Sequence, residues 1–148
     1  LSIQMKAARK LRVHWPISAE TFHRAAGGDL DALSGDEGVA SLLRAVEQFQ
    51  DLGDFGNYKH VFESTVGFEG FTCAQGATPT LGVVGERTIS PTFVFTTYFD
   101  AKLPEHTVEE FMQQLADIHP WELPVIELTG PVTIAAHVYT GGREGEAA

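Results

Sequence analysis

The sequence predicts an α+β fold, a split β-α-β sandwich with an insertion after the first strand and an extra C-terminal strand. Three observations carry this. Residues 10–15 alternate polar and apolar, as a half-buried strand does. Two later stretches repeat apolar residues at helical spacing. A β-branched and aromatic run at 92–99 lies between those two helices. Residues 1–148 are read as one domain, because a chain of 148 residues can bury a core without disulfides or metal.

The elements follow in order. Residues 1–9 and 141–148 are expected to fray. Lys10-Leu11-Arg12-Val13-His14-Trp15 forms the first strand, and Pro16 stops it. Ser18 is placed to cap a short helix over residues 19–26. Gly27-Gly28-Asp29 and Ser34-Gly35-Asp36 then punctuate the chain, so residues 20–38 read as a loop-like insertion with one short helical piece. Val39, Leu42, Leu43, Val46 and Phe49 lie on one face of a helix predicted over 38–52, which Gly53 ends. Residues 58–66 alternate as a strand, with Tyr58, His60, Phe62 and Ser64 on one face. The stretch 67–85, with glycines at 67, 70, 76, 82 and 85, is too long for a structureless loop. It is expected to fold back as a hairpin or to pack at an interface. The strand at 92–99 follows. Thr107-Val108-Glu109-Glu110 reads as a capping box, the stripe Val108, Phe111, Met112 and Leu115 as the buried face of its helix, and Pro120 as its end. Residues 125–128 form a fourth strand and 132–139 a fifth. Strand 92–99 is apolar on both faces, so its second face is expected to be covered, most simply by self-association.

The formal charge of −10 repels phosphates and argues against a nucleic-acid partner. No apolar run approaches the roughly 18 residues of a membrane span, and no signal peptide precedes the first strand. Cys73 stands alone, so it forms no internal disulfide and fits a reducing, cytoplasmic setting. The chain opens on Leu1 rather than methionine and is read as a fragment, leaving room for an upstream segment.

Two motifs carry a resemblance. The stretch Gly53-Asp54-Phe55-Gly56-Asn57-Tyr58 looks like G-x-x-G-N-Y and continues through Phe62, Gly67, Phe71 and Gly76-Ala77-Thr78-Pro79 to Gly82-Val83-Val84-Gly85. His119-Pro120-Trp121-Glu122-Leu123-Pro124 is similar to H-P-Y-E-E-P. Together they resemble the small module inserted in bacterial NIF-three-like proteins, which also occurs as a stand-alone chain and is similar in fold to CutA and PII proteins. The match spans about residues 53–128, roughly half the chain. It implies a ferredoxin-like sheet, a homo-oligomer (a trimer above all), and no established catalytic activity. This chain departs from the pattern at Thr72-Cys73, where the family has Arg-Pro, and at Leu123, where it has Glu. An anion-binding role for that arginine is therefore not carried over. Nor is the metal site of the full-length proteins, whose outer domain these residues do not include.

Three functional readings remain open. The first is a non-enzymatic binding or regulatory module that senses a small ligand at a subunit interface. Gly56, Asn57, Tyr58, Gly76, Pro79, Trp121 and Glu122 are its candidate ligand contacts, because glycine backbone approaches a ligand closely and its amides can form an anion nest. The same glycines also suit plain tight turns. The second is a CutA-type binder of a divalent metal through His60, His119 and Glu122, whose nitrogen and oxygen donors suit zinc or copper. His119 equally suits a helix C-terminus. The third is an enzyme with a site assembled in space, for which Cys73 and His60 are the nameable pair, although no G-x-S-x-G, H-E-x-x-H or P-loop motif is present.

Overall fold

The computed structural model describes residues 3–137. It is an antiparallel sheet with helices on one face, as the α+β reading requires. Strand β1 (Ile3–Pro16) is followed by helices α1 (Ala19–Ala26), α2 (Asp31–Gly35) and α3 (Glu37–Glu47). Strands β2 (Phe62–Thr72) and β3 (Arg87–Asp100) form a long hairpin. Helix α4 (Glu105–Ile118) and strands β4 (Ile126–Leu128) and β5 (Val132–His137) complete the chain. The sheet order is β2-β3-β1-β4, with β5 also on β1, which is a ferredoxin-like arrangement.

Alternation builds the core. Leu11, Val13 and Trp15 of β1 and Phe93, Phe95 and Phe99 of β3 point toward the helices. Val39, Leu42 and Val46 of α3 and Val108, Phe111 and Leu115 of α4 meet them, and all are buried. Phe111 lies edge-on to Phe49 and Phe99 at 5.5 and 5.4 Å between centroids. The opposite sheet face carries Lys10, Arg12 and His14 of β1 beside Val94, Thr96 and Tyr98 of β3, and those six are half-buried or exposed. Arg12 reaches Glu127 across the β1–β4 pair at 3.8 Å. No described helix covers this face.

Several boundaries differ from the sequence expectation. β1 begins at Ile3, so residues 3–9 are strand rather than frayed end, because β5 pairs with Ile3 to Ala8. β1 advances three residues between its β4 and β5 pairings where its partner advances four, a bulge that Thr129 secures by exchanging backbone and side-chain bonds with Lys10. The insertion at 20–38 is largely helical. Ser18 Oγ does accept from Thr21 N at 3.0 Å, and Asp36 caps α3 through Gly38 N and Val39 N. α3 stops at Glu47, and Leu52 is buried by the turns that follow. The strand expected at 58–66 starts four residues later, because residues 53–61 close on themselves. Phe55 N donates to Tyr58 O and Val61 N to Gly53 O, with Gly53 and Gly56 in the left-handed region. α4 begins at Glu105 rather than after a Thr107 cap. Pro104 holds extended N-cap geometry, and its carbonyl accepts from Thr107 N and Val108 N, so the capping box does not form. The fifth strand is described to His137. Residues 138–148, with the expected frayed tail, lie outside the described residues.

Candidate functional site

One end of the sheet forms a cavity of about 350 Å³. Its floor comes from β2. Residues of β2 alternate between faces, so Phe62 stacks on Phe95 and Phe68 meets Phe22 at a tilt on the helical side. Glu69 and Phe71 therefore project to the other side, into the cavity. The chain then leaves β2 and folds over as a loop, residues 73–86, before β3 begins. Cys73, Pro79 and Leu81 of that loop form one apolar wall. The segment after α4 forms the other, with Trp121, Glu122 and Leu123.

Two hydrogen bonds hold the two walls together, and one ring contact ties the second wall to the floor. Thr80 Oγ1 donates to Pro120 O at 2.7 Å. Thr78 N donates to Glu122 Oε1 at 3.0 Å. Phe71 and Trp121 meet edge to face, 5.3 Å between centroids. Gly82 is required here: its φ is +98°, and a Cβ would sit 2.5 Å from Thr88 Oγ1 and 3.2 Å from Cys73 Sγ.

His119 anchors the second wall. It is buried, its ring 4.7 Å from the Trp15 ring. Nε2 lies 2.6 Å from His14 O, and Nδ1 accepts from Trp121 N at 3.1 Å. A carbonyl can only accept, so the proton sits on Nε2 and the ring is neutral in this arrangement. Burial holds its pKa below the ordinary imidazole value, opposed by the bond to His14 O and helped by the nearby His14 ring.

The sequence-derived candidates divide. Pro79, Trp121 and Glu122 line the cavity, and Gly76 lies in its loop at φ +91° without lining it. Gly56, Asn57 and Tyr58 lie in an exposed turn before the other end of β2. That turn is satisfied internally: Asp54 Oδ1 accepts from Gly56 N and from Lys59 Nζ, and the Lys59 bond lowers the Asp54 pKa. The tight-turn reading of these glycines fits this end. The metal set is not assembled. His60 precedes β2 and His119 lies at the opposite end of the sheet with both ring nitrogens engaged. The described residues hold no group of three His, Cys, Asp or Glu side chains placed for a metal ion. Cys73 and His60 flank the 11-residue β2, on the order of 35 Å apart at strand rise, so they form no thiolate pair. Glu69, Phe71, Leu81 and Leu123 were not identified as site residues from sequence, and Cys73 was named only as the partner of His60. Their grouping depends on how the loop folds over, which leaves no linear spacing.

No family model matches the chain, and no curated protein matches it. Among solved structures it is similar to a Bacillus cereus protein related to NIF3, with 17% identity and a TM-score of 0.53. That match covers 87% of this chain and 26% of the other, so the chain spans about a quarter of that protein's length. The likeness is one of fold. No helix among the described residues is long and apolar enough to cross a membrane.

Proposed function

We propose that the chain is a non-enzymatic, homo-oligomeric binding module that holds a small organic ligand between the 73–86 loop and the 119–124 segment. The cavity itself carries this reading. At about 350 Å³ it has the size of a small-molecule site, and its walls are apolar with a few polar groups at defined places. The cross-wall bonds and the His119 anchor preorganise it, which lowers the cost of binding. A lone thiol in the wall fits a reducing, cytoplasmic setting. The fold likeness to a NIF3-related protein is compatible with a module used within larger chains.

The test is a titration with 2-phenylethanol, a neutral probe small enough for the cavity, followed by amide and indole NMR. The two tryptophans report from different places: Trp121 lines the cavity, and Trp15 lies in the core. The expected result is a saturable shift of the Trp121 indole signal and of the Cys73 and Leu81 amides, with Trp15 unmoved. No shift with this probe, nor with the charged analogues below, contradicts the reading.

A further inference from the structure

Resting on that reading, we propose that the cavity selects a small organic cation, an amine with an aromatic or branched apolar body. The observation is the sign of the charge inside it. Among the described residues the lining contains two carboxylates, Glu69 and Glu122, and no Lys, Arg or His. Glu122 spends one oxygen on Thr78 N and keeps the second for another donor. The polar neighbour of Glu69 is the His14 ring, at 4.0 Å from Nδ1 to Oε2, beyond hydrogen-bond reach. His14 itself stands outside the lining.

The remaining walls agree with this choice. The rings of Phe71 and Trp121 offer electron-rich faces that attract a cation and pack an apolar body. Leu81, Pro79 and Leu123 supply further apolar surface. An anion has no such welcome. The Thr78 amide, the donor a glycine-rich loop would offer it, is already committed to the chain's own Glu122. The net charge of −10 adds a field of the same sign. A bare divalent metal is disfavoured too, because the described residues assemble no three-ligand set. An ammonium needs only one or two carboxylates and an apolar pocket, which is what this cavity provides.

The experiment compares three probes of one skeleton: phenethylammonium, 2-phenylethanol and phenylacetate, titrated by NMR into the unmodified chain at low ionic strength. Phenethylammonium is expected to bind at least about tenfold more tightly than the alcohol, and phenylacetate more weakly than either, with the difference shrinking as salt is added. Glu69→Gln and Glu122→Gln, measured separately, are each expected to lower the cation's affinity several-fold while leaving the alcohol's within twofold. Two variants are used because Glu122 also bonds Thr78; Glu69→Gln tests charge without touching that bond. Equal affinity for the three probes overturns cation selectivity while leaving the cavity a binding site. Tighter binding of phenylacetate overturns the sign. Failure of all three overturns both the selectivity and the proposed function.

Discussion

Gly38 shows how closely single residues are fitted in this molecule. It lies in the first turn of α3, where a Cβ would come within 2.9 Å of Trp15 Nε1. Trp15 is 1% exposed and fixed in β1, so its ring has nowhere to go. Replacing glycine by alanine in a helix gains at most about 1 kcal/mol, whereas overpacking costs roughly 1–3 kcal/mol. Gly38→Ala is therefore expected to destabilise the fold, as measured by urea unfolding, and a stabilised variant would contradict the packing. His119 makes a second residue-scale prediction. Its native pKa lies below the ordinary 6.5, so the unfolded chain binds the proton more tightly than the folded one. The contribution of the neutral ring is fully present above about 6.5 and is lost as pH falls through the lower native value. The physical event is loss of the acceptor for Trp121 N. Unfolding free energy should fall more steeply between pH 6.5 and 5 in the unmodified chain than in His119→Gln; parallel slopes would show that His119 does not carry the effect. His119 was legible as a helix-terminal residue. Its hydrogen bond to His14, 105 positions away, was not, because it depends on tertiary placement.

At the scale of elements, the 73–86 loop and the 119–124 segment depend on one another. Each bond between them contributes on the order of 1 kcal/mol. Removing both, in a Thr80→Val and Glu122→Ala double variant, should raise amide exchange at Thr78 by about tenfold or more while leaving the core amides of β1 and β3 protected. Unchanged exchange at Thr78 would mean the walls are held by packing alone. The elements themselves were legible where pattern and burial agree: β1, the α3 stripe and α4 all follow their periodicity. The misplacements have physical causes. Tyr58 and His60 alternate like strand residues, yet His60 sits at φ +55° in a turn closed by Lys59 on Asp54. The strand expected to end at residue 66 runs on through Gly67 and Gly70 to Thr72, because β3 supplies an unbroken ladder from Phe62 to Thr72. Hairpin pairing outweighed local preference.

For the whole molecule, the first and last described strands leave an unfinished surface. Among the described residues, Ile3 to Lys6 run beyond the last residue of β3 and pair in the sheet with β5 alone. Ile3 and Met5 are 61% and 67% exposed on this ribbon. Two-stranded ribbons are marginal in water, and exposed edges invite pairing, so the ribbon supports the proposal that copies of the chain associate through it. Native mass spectrometry should show an oligomer, a trimer by the sequence resemblance, that Met5→Glu shifts toward monomer with the fold retained by circular dichroism. A monomeric unmodified chain would contradict this. Within one chain no described helix covers the second sheet face, so the cover expected from self-association stands or falls with the same measurement.

The central claim is that one end of this sheet is a ligand site. It is tested most directly by a crystal structure of the protein soaked with 4-bromophenethylamine, with data collected at the bromine absorption edge. An anomalous peak is expected between Phe71 and Trp121, with the ammonium within hydrogen-bond reach of Glu69 or Glu122. A bromine peak elsewhere, or an empty cavity under conditions where solution binding is saturated, would contradict it.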